Sequence, residues 1–230
     1  MRYFLALLCC LLLAFAGPAN AAHYHSDEHI ELEQVLAPPP APGSAAQQAD
    51  MAAVLADQAS RSPTEIDAAQ GDAQISIYRF ADVLGEKFHT GALSKTEALF
   101  QAVGEDSRDI VSEAKDHWGR PRPFVINSDV HTIVQQPANG AYPSGHATFG
   151  YLTAILLANM IPEKADALYD RGRQYGQNRV VAGVHYPTDV EAGRITASII
   201  ANGLFNDSAF QHDFAAVKTE LRQVLGYPDN

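Results

Sequence analysis

The sequence predicts an all-α fold: a single-domain helical bundle with a central buried helix and irregular loops that hold its functional residues. Three observations carry that expectation. Residues 146–160 are apolar on nearly every face, the pattern of a helix enclosed by others. Helix-start signals recur. Ser62-Pro63-Thr64-Glu65 combines a cap, a first-turn proline and a third-position glutamate, and Ser94-Lys95-Thr96-Glu97 repeats the capping box. No alternating series marks a sheet and no internal repeat is present; only Phe124 to Gln136 has β character, and Asp129 interrupts it.

Taken in order, the chain opens with Arg2, an apolar stretch from Phe4 to Ala16, and Ala19-Asn20-Ala21. These are the charged region, apolar region and small-residue cleavage site of a secretory signal spanning residues 1–21. The stretch is short for a bilayer span. Cys9 and Cys10 leave with it, so the mature chain has no disulfide, thiol chemistry or cysteine metal site. Residues 22–43 form a polar and proline-rich leader. His23, His25, Asp27, Glu28 and His29 suit either a metal-binding tail or a solvated segment; nothing fixes ligand geometry, so a solvated segment is expected. Ala37 to Gly43 is too proline-rich for a helix and reads as extended chain, either a linker or a strap on the domain.

Residues 44–230 form the domain. The pattern is helical from Ser44, and a helix runs from Ser94 towards Lys115. After the apolar helix, Pro162 starts another whose stripe is Ala165, Leu168, Gly172, Tyr175 and Arg179. Pro187 begins a helix running to about Phe205, and Ser208 with Gln211 opens the last. His89, His117, His131 and His212 have no partner pattern and are expected at the surface or in loops.

A chain of 230 residues suits one domain, and 47% hydrophobic content excludes a fully disordered one. The net charge of −11 argues against nucleic-acid or anionic-membrane binding, since both need a cationic face. An anionic ligand would need a local positive cluster. Beyond the signal, the longest apolar run, within Tyr151 to Ile161, is too short to cross a bilayer. The expectation is an exported soluble protein, periplasmic or secreted, with no membrane insertion after signal cleavage.

Three segments concentrate cations and histidines. In the first, a Gly-Arg-Pro-Arg-Pro turn presents Lys115, Arg120 and Arg122; a guanidinium can grip a phosphoryl group through two hydrogen bonds. In the second, Pro143-Ser144-Gly145-His146 precedes the apolar helix, so Ser144 sits at its cap. The free N–H groups of Gly145 and His146 can cradle an oxyanion; ordinary capping is the alternative. In the third, Arg179 ends an apolar stripe and needs an anion from protein or ligand. His185 and Asp189, four apart at a helix start, are either a structural pair or a histidine held with one nitrogen free to react. Together they supply what phosphoryl transfer needs: positioning and charge stabilisation. No Walker loop, HExxH or EF-hand pattern appears, so no metal and no cofactor is expected.

The order Lys-x6-Arg-Pro, Pro-Ser-Gly-His, Arg-x5-His-x3-Asp resembles the type-2 phosphatidic acid phosphatase superfamily. Within it, the signal, the Leu36-Ala37-Pro38-Pro39-Pro40 leader and the Gly140-Ala141-Tyr142 context resemble the bacterial class A non-specific acid phosphatases. The resemblance implies an all-α bundle that hydrolyses small-molecule phosphate monoesters without a metal. It implies His185 as nucleophile, Asp189 as its support, and His146 as acid and then base. Lys115, Arg122, Ser144, Gly145 and Arg179 would hold the phosphoryl oxygens, with Arg120 off the motif and peripheral. Trp118 and Tyr142 either wall the leaving group or pack. Relatives that oligomerise imply a homo-oligomer by analogy. Asn178 stands where the family has Ser, implying altered surroundings rather than a dead site. Paired histidines imply an acidic optimum, because one must be neutral while the other is protonated. The rivals are a vanadium-dependent haloperoxidase, a lipid phosphatase, disfavoured because no membrane span remains, and a non-catalytic phosphate-binding protein.

Overall fold

Mean apolar character this high allows the helix over residues 145–160 only one place, the middle of the molecule. The structure, a computed structural model, describes Tyr24 and residues 30–228; the expected signal segment lies outside the described residues. In chain order the helices are α1 (Leu32–Val35), α2 (Ala45–Ser60), α3 (Pro63–Gly71), α4 (Ala81–Leu84), α5 (Ser94–Trp118), α6 (Pro123–Ile126), α7 (Gly145–Met160), α8 (Ala165–Val181), α9 (Pro187–Asn206) and α10 (Ser208–Leu225), with 3₁₀ turns at Ile77–Phe80 and Pro162–Lys164. No strand is present among the described residues. The fold is all-α, as the sequence predicts.

Helix α7 packs along both α8 and α9, and α5 and α10 close the bundle. Leu152, Leu156, Leu157 and Met160 of α7 are buried against Leu168 and Tyr175 of α8, Ile200 and Leu204 of α9, and Phe210 and Leu221 of α10. The spacing is set by small residues. A Cβ on Gly172 would lie 2.7 Å from the Ala154 Cβ, and one on Gly193 would lie 2.6 Å from the Ser144 carbonyl oxygen. Glycine is thus what lets α9 approach the start of α7.

Most helix starts follow their sequence signals. Ser44 accepts from the Gln47 N–H, Ser62 and Glu65 form both halves of a capping box, and Ser144 accepts from the Ala147 N–H. Two starts differ. Asp207, not Ser208, caps α10, accepting from the Phe210 N–H at 2.7 Å. At α5 the cap position is Leu93 and Ser94 lies inside the helix. Glu97 accepts instead from the Gly91 N–H and the Tyr78 hydroxyl, while the Lys95 and Thr96 amides donate to Glu220 of α10 at 3.1 and 2.9 Å. A carboxylate from the far end of the chain replaces the expected local cap.

Two other expectations are corrected. Phe124 to Gln136 forms α6 and a loop, its apolar residues serving packing: Val130 joins Val54, Val180 and Tyr186, and Ile133 and Val134 pack near Val184. The leader is seated on the domain at Tyr24, Leu32 and Leu36 while most of its other described residues are exposed, and His23, His25, Asp27, Glu28 and His29 lie outside the described residues. Leu32 and Leu36 are buried with Ala114, Tyr142 and Ala192, and the Tyr142 hydroxyl donates to the Ala37 carbonyl at 2.5 Å. Tyr24 donates its N–H to Asp106 and its hydroxyl to Asp213. The leader is therefore a strap, and Trp118 and Tyr142, their rings perpendicular at 4.9 Å, pack beneath it. His89, His117, His131 and His212 are exposed, as expected.

The close helix approach gives a first prediction. Gly193→Ala should cost about 1–3 kcal/mol through overpacking against Ser144. Gly104→Ala, on the open face of α5 where a Cβ meets nothing within 4 Å, should gain about 0.5–1 kcal/mol of helix propensity. Urea unfolding of the two variants beside the wild type checks both signs.

Candidate active site

The site begins where α8 ends. Arg179 occupies the last turn of α8, Gly183 turns the chain at φ +75°, and His185 and Asp189 flank the start of α9. Asp189 reaches back so that its Oδ2 accepts the Tyr186 N–H at 2.9 Å, and the same oxygen accepts from His185 Nδ1 at 3.2 Å. On the other side of the ring, Arg122 Nη1 lies 3.0 Å from His185 Nε2. A guanidinium can only donate and a carboxylate only accept. The imidazole, 2% exposed, is thereby fixed with its proton on Nδ1 and its lone pair on Nε2.

The cations come from two further segments. Lys115, on the last turns of α5 and 5% exposed, donates to the Gly140 carbonyl at 2.7 Å. Arg122 donates to the Asn139 and Val184 carbonyls and to Asn139 Oδ1, all neutral acceptors. Arg179 is buried, and its Nε and Nη1 have no hydrogen-bond partner. Three buried positive groups therefore converge without a carboxylate bonded to any of them. Ser144 is fully buried, its Oγ accepting the Ala147 N–H at 3.3 Å and its own N–H donating to the Asp189 carbonyl at 2.9 Å. Gly145 and His146 follow in the first turn of α7, where amides have no intrahelical acceptor. His146 Nε2 lies 3.0 Å from the Ala73 carbonyl, so that nitrogen carries the proton and donates.

Lys115, Arg122, Gly145, His146, Arg179 and His185 line one end of a cavity of about 520 Å³. Asp189 and Ser144 stand behind them, acting on His185 and on the α7 start respectively. The eight residues singled out in the sequence thus converge on one place. Among the described residues no group of three or more His, Cys, Asp or Glu is placed to share a metal ion.

Arg120 is the residue that sequence reasoning misplaced. It is buried, not peripheral. Its Nη1 donates to Asp189 Oδ1 at 2.5 Å and to the Thr188 hydroxyl, and its Nη2 donates to Asp50 and Gln47 of α2, each at 2.7 Å. The guanidinium also lies 4.1 Å from the Tyr186 ring centroid. It balances two buried carboxylates and fixes the Asp189 oxygen that His185 does not use. The signal available was its place between a left-handed Gly119 and Pro121, a turn too rigid for a solvated charge.

A second missed group is Asp72, fully buried at the end of α3. It accepts from Arg171 at 2.6 and 3.0 Å, from Arg79 at 2.8 Å and from Asn178 Nδ2 at 2.7 Å. Asn178 thus bonds to Asp72, next to the Ala73 whose carbonyl holds His146.

Electrostatics follows from this crowding. Burial, then the Arg122 charge, pushes Lys115 down to about 7. Burial lowers Arg122 and Arg179 each to about 10. His146 falls to about 4 through burial and the charges of Arg179, Arg122 and Lys115, and His185 lies well below its ordinary value for the same reasons. Burial raises the Asp189 carboxyl, and Arg120 opposes that rise. The arrangement is built to receive a small, multiply charged oxyanion.

Comparisons with known proteins agree with this chemistry. The family model described as the PAP2 superfamily matches residues 99–212. The acid phosphatase of Zymomonas mobilis is 31% identical over 216 residues, 90% of this chain and 80% of that protein. The non-specific acid phosphatase of Salmonella typhimurium is 30% identical over 233 residues, 96% of this chain and 92% of that protein. Among solved structures, the transmembrane PAP2 type phosphatidylglycerolphosphate phosphatase of Bacillus subtilis is similar in fold with a TM-score of 0.52 at 21% identity, over 70% of this chain and 85% of that one. A bacterial vanadium-dependent iodoperoxidase gives 0.59 at 17% identity, over 74% and 52%. At those identities the structural likeness speaks for the fold alone.

The lysine supplies a pH prediction. Lys115 is charged below its lowered pKa and neutral above it, so anion affinity should fall as pH rises through about 7. Sulfate, whose own charge is constant there, is the probe. Calorimetry should find this step in the wild type and lose it in Lys115→Met, which should bind more weakly at pH 6.

Proposed function

The chain belongs to the PAP2 superfamily, and from that premise we propose that it is an exported acid phosphatase that hydrolyses phosphate monoesters to an alcohol and inorganic phosphate. The observation that carries the reading is the His185 ring: its Nε2 lone pair faces three buried cations that lack an anion, while Asp189 holds the Nδ1 proton. Export rests on the sequence of residues 1–21; no helix among the described residues is long and apolar enough to cross a membrane.

In the proposed reaction the phosphoryl oxygens are taken by Lys115, Arg122, Arg179 and the amides at the α7 start. Arg122 Nη1 then passes from His185 Nε2 to an oxygen of the substrate, which frees the lone pair. Nε2 attacks phosphorus and the P–O bond to the alcohol breaks. The imidazolium that forms is stabilised by Asp189, itself steadied by Arg120. His146 gives the leaving oxygen its proton. Since Nε2 of His146 is committed to the Ala73 carbonyl, Nδ1 is the nitrogen that does so. In the second step the same nitrogen takes a proton from water, which attacks the phosphohistidine and releases phosphate. No step requires a metal, because side-chain cations carry the charge stabilisation.

The lowered His146 pKa of about 4 sharpens the expected acidic optimum. The free site disfavours a protonated His146 because the ring is buried and because Arg179, Arg122 and Lys115 repel its charge. A bound phosphate ester cancels much of that repulsion, so the working proton is acquired with substrate. Above neutrality Lys115 loses its charge and the grip weakens.

The deciding experiment is p-nitrophenyl phosphate hydrolysis at mildly acidic pH with EDTA, with acid-quench trapping of labelled phosphate on the protein. Turnover should survive the chelator, and His185→Ala should lose it by about 10⁴-fold or more together with the covalent label. Full activity in that variant, or no label in the wild type under rapid quench, overturns the nucleophile; sulfate binding without turnover would mark a binding protein. Arg120→Lys keeps the charge but not the planar fork, and should cost about 10–100-fold in kcat, the range for partners that orient a ligating histidine. A KM left near the wild-type value would place that loss in the positioning of His185 rather than in phosphate binding.

A further inference from the structure

The cavity is far larger than its cationic end. It continues along one face of α5, from Lys115 past Val111 to Gly104 and Phe100, with Phe149 of α7 and Ile75 and Ile77 of the preceding loop opposite. At 1.5 Å per residue, Gly104 lies about 16 Å along the helix from Lys115, so this is a channel rather than a single-ion hole. Phe149 stands one turn from His146 on the same helix, and the apolar wall starts where the leaving oxygen would depart. Ile75 is 54% exposed at the mouth, although its neighbour Ile77 is buried. The charged side chains that line this part are Glu97, Glu105 and Arg108, so it offers no second cationic cluster for another anion.

Gly104 keeps the channel open. It sits in the interior of a 25-residue helix, where glycine costs about 1 kcal/mol relative to alanine, and a Cβ there would meet nothing within 4 Å. Packing therefore does not demand glycine; a larger side chain would project into the cleft. Resting on the phosphatase reading, we propose that this cleft binds the leaving group, that it selects monoesters with an extended apolar alkyl or aryl body, and that Gly104 is a specificity-determining residue.

The test does not need turnover. Ethyl-, butyl- and hexylphosphonate carry the anion with no cleavable ester bond, and calorimetry reads their affinities in one protein at a time. In the wild type hexylphosphonate should bind at least about tenfold tighter than ethylphosphonate, with a more negative heat-capacity change from apolar burial. Gly104→Phe should bring that ratio close to one, and Ile75→Ser, at an exposed position, should lower it severalfold. A ratio near one in the wild type, or a ratio that neither variant changes, overturns the proposal. Failure of the underlying reading is separate: it would appear as chain-length-dependent binding with no hydrolysis of hexyl phosphate.

Discussion

Asp189 is the buried carboxylate on which the geometry of the site depends. Its Oδ1 accepts from Arg120, its Oδ2 from His185 and the Tyr186 amide, and its carbonyl from the Ser144 amide. One residue thus ties the start of α9 to the start of α7 and, through Arg120 and Asp50, to α2. A buried carboxylate is tolerable only when its lone pairs are filled. Filling them is what sets the distance between the histidine and the amide-bearing end of α7. Gly193 is part of the same requirement, since only a residue without Cβ lets α9 lie close enough for that carbonyl bond.

Around this neutralised node stands a region that is not neutralised. Arg120 is matched by Asp50 and Asp189, and Arg171 by Asp72 and Asp82. Lys115, Arg122 and Arg179 have only carbonyls, an amide oxygen, an imidazole or nothing. The contrast matters because the chain as a whole is acidic, at −11. Carboxylates were available, and the fold places them one layer behind the cations rather than against them. Burial first, and repulsion among the neighbouring positive charges second, lower the pKa of Lys115 and of both histidines. On the proposed reading an oxyanion entering the cavity would offset that repulsion, so affinity for phosphate would be stored in the folded protein before any ligand arrives.

The fold class was legible because it rests on local signals: an apolar run for α7, prolines and capping residues for α3 and α9. The convergence of the three motif segments was legible because each carried its chemistry within a few residues. What escaped was long-range pairing. Arg120 meets Asp50 seventy positions away, and Asn178 meets Asp72 across a hundred and six, with no periodicity to announce either contact. The α5 start failed for the same reason, since Glu220 supplies the cap that Ser94 promised. The leader misled through composition: a polar average concealed Leu32 and Leu36, which two apolar side chains suffice to seat on the domain.

The two ends of the cavity obey different physics, and this sets what kind of selectivity each can have. At the cationic end Lys115, Arg122 and His185 have named partners, and Arg179 Nε and Nη1 have none. Displacing one of those partners by an ångström leaves a buried donor unsatisfied, so recognition there is strict. Away from that end Phe100, Val111, Phe149, Ile75 and Ile77 give the cavity apolar surface among polar neighbours, and apolar surface contributes through area rather than through matched atoms. A methylene more or less changes binding by a modest factor and no shape is excluded outright. Under the proposed function and substrate preference, a phosphate grip held by long-range networks and a leaving-group wall that includes one exposed loop and one glycine would make the phosphoryl group the fixed element of recognition and the rest of the ester the part that can vary.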